Sequence, residues 1–429
     1  MNIQSITSKL TLFCAFLSCL FFSYGKLMNL FMVIWMSAWA IEIIANRSYL
    51  KFQKPDRYNL PLYLTIALFV WMFLSVLWSD NADRALTLIG RRIPLLIFPL
   101  LALFGMRQQS KFKILLLAFA CGTVIYSVIV FIQAHLLANS QVEQIVSNCP
   151  NCSYDFQELF VANYNTIKHR TQFGLCQMLS LTSLFYLRHD IASYFGGRKY
   201  VFNIIFFILF AVICYIMFRS ETRMMLFVAF FLLISFTFIL LWENNMKIVA
   251  VAVFPVLLFA SLIGIKHHPR MQNIKLDKQS IQQFDPRYGQ WVCALTCIKS
   301  NAFNPLIGEG IGDYTDVFTE EYNKPDYKKY AFLQEIESAH NVFLDQMMEL
   351  GVIGVLLILS VFITVPLFIR RQETFVFILQ TAFIILCYCL IEVALTRATP
   401  INAFALFLVF TYWAKTISGM ASKNKEISI

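Results

Sequence analysis

VFNIIFFILFAVICYIMF at residues 201–218, the polar link Arg219-Ser220-Glu221-Thr222-Arg223, and MMLFVAFFLLISFTFILLW at residues 224–242 decide the fold. A helix rises about 1.5 Å per residue, so about 20 apolar residues cross a hydrocarbon core of roughly 30 Å. Lipid offers no partner to backbone N–H and C=O groups, and a helix satisfies them internally. Two such runs joined by a short polar link therefore read as two membrane spans that turn back on each other.

Working outward from this hairpin gives about twelve runs. They are Lys9 to Tyr24, Leu27 to Ala45, Leu60 to Trp78, Ile93 to Gly105, Ile114 to Leu137, Gln172 to Leu187, Val201 to Phe218, Met224 to Trp242, Ile248 to Ile265, Val352 to Ile369, Phe375 to Leu395 and Ile401 to Ala414. The chain is 59% hydrophobic, against roughly 45–50% in soluble domains, and its charges gather in the connections. The expected fold is an all-α polytopic membrane protein of about twelve transmembrane helices with one large outer loop holding short helices. Residues 1–265 would hold the first nine spans, 266–345 the large loop, and 346–429 the last three spans and a cytoplasmic tail. The run from Ile93 is short and carries Pro94 and Pro99, so a kink or tilt is expected there. Lys9 before Leu10 to Phe22 has the look of a secretory signal, but no small-residue cleavage site follows and a second run starts at Leu27, so both read as retained spans.

The formal charge of +10 reflects orientation rather than nucleic acid binding. Arg47, Lys51, Lys54 and Arg57 share one short connection, Arg107, Lys111 and Lys113 another, Arg188, Arg198 and Lys199 a third, and Arg370 and Arg371 a fourth. Basic short loops resist translocation. With an even number of spans and both termini inside, all of these fall on the cytoplasmic side, and the links Ser79 to Arg92, Ala138 to Arg170, Arg219 to Arg223 and the large loop ending at His340 face outward. Neither an internal repeat nor a low-complexity tract is evident.

The outer loop concentrates the chemistry. It carries Asp285-Pro286-Arg287-Tyr288-Gly289-Gln290-Trp291, then Asn304-Pro305-Leu306-Ile307-Gly308-Glu309-Gly310-Ile311-Gly312-Asp313, then Ser338-Ala339-His340-Asn341. After His340, Phe343, Leu344, Met347 and Leu350 recur at helical spacing, which puts His340 where a helix enters the membrane. In Arg287 and Trp291, in Pro305 to Gly310, in His340-Asn341 and in Glu349-Leu350-Gly351-Val352-Ile353-Gly354, taken in that order, the chain resembles the O-antigen ligase and polymerase superfamily of bacterial envelope glycosyltransferases. Ser220-Glu221-Thr222-Arg223 matches the Ser-x-x-Arg-like turn that the family places at the outer end of an earlier span. The first two hundred residues match mainly by topology.

The resemblance implies a GT-C-like enzyme of the bacterial inner membrane that moves a glycan from an undecaprenyl diphosphate donor to a lipid A-core acceptor at the periplasmic face. The residue types suit that reaction. Guanidinium groups stay charged and grip phosphate oxygens through paired hydrogen bonds, a role for Arg287 and Arg223. An imidazole titrating near 6.5 can take the acceptor's proton, a role for His340. A single displacement with inversion is expected, with no cofactor and no divalent ion, since no carboxylate pair stands at metal-ligand spacing; Asp285, Glu309 and Asp313 leave that point open.

Further residues are candidates for substrate contact. Arg219 rivals Arg223. Arg91 and Arg92 lie just before a span on the outward side, against the usual bias, where either a lipid diphosphate or an interfacial anchor would account for them. Arg170, with Lys168 and His169, ends an outward loop, and Asn341 and Trp291 belong to the motif. Cys149 and Cys152 face an oxidising compartment, so a local disulfide is the first reading and a metal site the second. The other cysteines fall mostly in spans and read as packing. The glycines at 308, 310 and 312 lack the strand and helix of a nucleotide fingerprint and are expected to make a tight turn near substrate. Within the superfamily, a polymerase or a protein O-oligosaccharyltransferase remains the alternative to a ligase. The reading of a different class is a lipid-linked glycan flippase, which would place charges mid-span; Glu42 and Glu392 are the main residues of that kind.

Overall fold

The computed structural model describes residues 3–47, 52–106, 109–148, 155–249, 287–328, 338–367 and 372–427, with scattered positions between 251 and 259. Cys149, Cys152, Asp285 and most of the run from Ile248 to Ile265 lie outside them. Among the described residues the chain is helical with no strand, as its apolar runs require.

The helices in order are α1 (Ile3–Leu20), α2 (Lys26–Ala45), α3 (Leu60–Leu74), α4 (Ala82–Arg92), α5 (Pro94–Phe104), α6 (Phe112–Asn148), α7 (Phe156–Ile167), α8 (Arg170–Tyr186), α9 (Arg188–Tyr194), α10 (Lys199–Arg219), α11 (Arg223–Glu243), α12 (Arg287–Ile298), α13 (Tyr314–Tyr322), α14 (Pro325–Lys328), α15 (Val342–Thr364), α16 (Gln372–Cys389) and α17 (Ala398–Ile427). Nine helical segments among the described residues are long and apolar enough to cross a membrane. Two further expected spans are present as the shorter helices α8 and α16. The protein is an all-α polytopic membrane protein.

Burial separates the inner helices from the outer ones. From Gln172 to Phe185 every residue of α8 is buried, and 89% of the apolar window of α17 is buried, against 33% for α1, α10 and α11. The outer helices instead expose Leu30, Val33, Ile41, Ile204 and Ile208, which suits a face solvated by lipid tails. Helices meet where small residues allow close approach. A Cβ on Gly122 of α6 would lie 1.9 Å from the carbonyl oxygen of Leu20, and Ser23 and Thr123 bond at 2.9 Å beside it, the kind of contact that replaces hydrophobic driving force inside a bilayer.

Several of the links between spans are helical. The link Ser79 to Arg92 contains α4, capped by Asn81, whose side chain accepts from the Arg84 amide at 3.2 Å. The link Ala138 to Arg170 holds the end of α6 and all of α7. Pro94 stands in the first turn of α5, where its missing N–H costs nothing, and Pro99 sits inside that helix.

The large loop has a small core of its own. Cys293, Ala294 and Cys297 of α12 pack on Tyr314, Phe318 and Tyr322 of α13, on Tyr327 of α14, and on Ala339 and Met348 at the head of α15. The segment from Pro305 to Gly312 sews this core to the bundle. Glu309 and Gly310 donate their amides to the carbonyls of Met348 and Glu349 at 2.8 and 3.1 Å, and Val352 donates to Pro305 at 2.9 Å. These bonds are possible because α15 is kinked at Gly351, whose φ of 67° lies in the left-handed region. Asp313 then accepts the amides of Asp80 and Asn81 at 2.7 and 2.8 Å.

Candidate functional site

The turn that carries His340 is fixed from both sides. Asn341 caps α15, its oxygen accepting from the amides of Phe343 and Leu344 at 3.0 and 3.2 Å. Its amide nitrogen donates to the carbonyl of Leu390 at 3.0 Å. The buried Asp345 accepts the Ala339 amide at 2.9 Å. Between these anchors His340 is held at a φ of 50°, a conformation costing about 1–3 kcal/mol for a residue with a side chain.

The link from Asn341 to Leu390 brings in a residue that was read from sequence as lying mid-span. Helix α16 stops at Cys389, so Glu392 lies in the irregular connection to α17. Its side chain is only 3% exposed, and its two oxygens face two partners: Oε1 lies 3.0 Å from Nη2 of Arg287, and Oε2 lies 3.4 Å from Nδ1 of His340. Burial alone would raise this carboxyl, but contact with His340 and the charges of His340, Arg287 and His169 outweigh it and hold the group at about 2. Arg287 and His340 each keep 28% of their side chains exposed. The carboxylate is thus sealed in while the groups it holds face outward.

Neighbouring corners of the bundle add charge. His169 precedes α8, and burial, followed by the charge of Arg397, lowers it to about 4, with Glu392, Arg170 and His340 also acting on it. Arg170 lies 3.9 Å from Glu221, which draws the 219–223 link to the same corner. Arg223 opens α11 and is half-buried. Arg219 ends α10 with its guanidinium 5.4 Å over the Phe160 ring, and its carbonyl accepts from Gln157 at 2.7 Å. Lys168 is buried, and that burial lowers its pKa.

His340, Arg287 and Arg170 therefore meet around Glu392 and His169. Trp291 stands one turn beyond Arg287 on α12, half-buried against the small core. Arg91 is exposed at the end of α4. Arg92 is turned inward. Its side chain is 0% exposed, 2.7 Å from an equally buried Glu349, and its Nε donates to the Leu395 carbonyl at 2.7 Å. A guanidinium so enclosed is a structural cation; the outward position expected for it belongs to Arg91 alone.

The glycine-rich segment also has a structural cause. A Cβ on Gly308 would stand 2.7 Å from the backbone at Glu349 and Leu350, and one on Gly312 would stand 2.3 Å from the Asn81 carbonyl. The turn is as tight as expected, but what crowds it is protein. Glu392 and Arg397 are the residues sequence reasoning missed. Arg397 lies in the short polar break between two apolar runs, which was its available signal, whereas Glu392 lies inside the run Phe375 to Leu395, where its signal was a lone charge among apolar residues. Among the described residues no group of three His, Cys, Asp or Glu side chains could hold a metal ion.

Fold and site together define a multi-pass membrane protein with a cluster of arginines and histidines around a buried carboxylate at one end of its bundle. Residues 206–359 match a family model described as O-antigen ligase, which supports the resemblance to the O-antigen ligase and polymerase superfamily. The matched stretch contains Arg219, Arg223, Arg287, Trp291, His340 and Asn341, and stops short of Glu392. No curated protein matches the chain.

Proposed function

We propose that the protein is an O-antigen ligase, which transfers a polysaccharide from undecaprenyl diphosphate to a hydroxyl of the lipid A-core oligosaccharide at the periplasmic face of the inner membrane. The observation that carries this reading is the shared carboxylate: Glu392 touches both His340 and Arg287. With Nδ1 of His340 against Glu392, its other ring nitrogen is left to accept the proton of the attacking hydroxyl. The carboxylate orients the ring and stabilises the imidazolium that forms, as in hydrolase triads. Arg287, held against Glu392 through Nη2, brings its fixed positive charge to the diphosphate, and Arg223, Arg219, Arg170 and Arg91 supply additional charge for the donor. Trp291 and Asn341 border the same site, Asn341 chiefly as the cap that aims His340. The transfer is a single inverting displacement. Negative charge builds on the leaving diphosphate as the glycosidic bond breaks, and cations placed there in advance lower the barrier.

Purified protein mixed with an undecaprenyl diphosphate-linked polysaccharide and lipid A-core should yield the joined product. Loss of the gene should leave bare core with accumulated long carrier-linked polymer; core bearing a single repeat would assign a polymerase instead. Movement of the donor between leaflets without any transfer would overturn the reading in favour of a flippase.

A further inference from the structure

At the end of the bundle opposite His340 lies a cavity of about 1140 Å³, larger than the roughly 300–1,000 Å³ of most ligand pockets. It opens between the end of α8, the start of α9, the start of α10, the end of α11 and the start of α16. Phe238, Ile239, Trp242 and Phe377 make an apolar wall. The other wall carries charges of both signs. Arg188 pairs with Glu243, His189 stands 3.7 Å from Glu243 and 3.9 Å from Glu373, and Lys199 and Glu373 are exposed on the rim. Deeper in, Gln380 donates to Ser235 at 2.8 Å.

We propose that this cavity binds the headgroup of a zwitterionic glycerophospholipid, one that carries a phosphate beside an ammonium. Helices α10 and α11 are each long and apolar enough to cross a membrane, and a charged end on such a span belongs at headgroup depth. A phosphate there meets Lys199 and Arg188, while an ammonium meets Glu373 and Glu243. An anionic lipid would have to lie against two carboxylates with nothing to offer them. The aromatic wall continues toward the bilayer interior, where the first carbons of the acyl chains would follow. A soluble phosphate ester shares the headgroup chemistry but has no use for that wall.

Full-length protein in detergent, titrated separately with phosphatidylethanolamine, phosphatidylglycerol and water-soluble glycerophosphoethanolamine, tests this by native mass spectrometry. Phosphatidylethanolamine should be held roughly five- to tenfold more tightly than phosphatidylglycerol. Lys199→Ala and Glu373→Ala, at exposed positions that leave folding intact, should each erase that preference, while Lys54→Ala on another connection should preserve it. Equal retention of both lipids by the wild type, or an unchanged preference in both cavity variants, overturns the proposal. Displacement of the lipid by equimolar glycerophosphoethanolamine overturns it in favour of a soluble ligand.

Discussion

Nδ1 of His340 and Oε2 of Glu392 face each other at 3.4 Å across the mouth of the bundle, and the bond from Asn341 to the Leu390 carbonyl ties their two segments together. The imidazole and the carboxylate beside it therefore come from different ends of different helices.

If that pairing directs the base, Glu392→Gln, which keeps the shape and removes the charge, should slow transfer at least roughly 10- to 100-fold, the scale found for carboxylate partners of metal-binding imidazoles. His340→Ala should cost about 10²–10⁴. The fall should appear in kcat. Because Arg287 leans on the same carboxylate, combining Glu392→Gln with Arg287→Ala should cost less than the sum of the two. Strict additivity in steady-state kinetics would refute a shared role.

Arg92 and Glu349 make a different prediction, about stability. Arg92→Met leaves a buried carboxylate without its cation and should destabilise the protein by about 3–5 kcal/mol, whereas Arg92→Met with Glu349→Leu should recover much of that loss. Thermal unfolding in detergent measures both. A single variant as stable as the wild type would mean that the pair carries no weight.

The kink at Gly351 should be intolerant of a side chain. Gly351→Ala would place a Cβ 2.3 Å from the carbonyl of Leu306 at a φ of 67°, and a loss of at least about 1–3 kcal/mol is expected. Gly90→Ala is the matched control. Nothing lies within 4 Å of a Cβ there, so a gain of about 0.5–1 kcal/mol is expected on the exposed face of α4.

His169 sets a pH dependence. Burial and Arg397 lower it from 6.5 to about 4, so the unfolded chain takes up a proton before the folded one does. Stability should then be flat above about pH 7 and fall as pH drops from 6.5 towards 4. Glu392, held at about 2 against an ordinary 4.5, contributes stability that is fully present above 4.5 and lost only as pH falls through 2. Between pH 4.5 and 6.5 the difference between wild type and His169→Gln isolates the histidine. Parallel unfolding curves across that window would contradict the assignment.

The helices were legible in the sequence because lipid leaves the backbone a single solution, and each apolar run that falls within the described residues has its helix. Arg287 and His340 were legible as ordered motif residues at a helix entrance. Glu392 was not, because hydropathy extended its span to Leu395 while the helix ends at Cys389, and an apolar average cannot register the irregular backbone of residues 390–395. Arg92 misled for the opposite reason. Its position before a span suggests exposure, and only the packing of α15 shows that a buried carboxylate waits for it. The glycine turn announced its tightness but could not name the backbone it presses against.

The bond from Arg92 to the Leu395 carbonyl closes a separation of 303 residues. A ribosome that has made α4 must therefore still synthesise α15 before Arg92 meets its counter-ion, and the connection after α16 before its second partner exists. The same late segment delivers Glu392. Synthesis order thus acts as a safeguard: an incompletely inserted chain holds an unmatched cation and lacks the carboxylate beside His340, so it is unstable and, under the proposed function, inert as well.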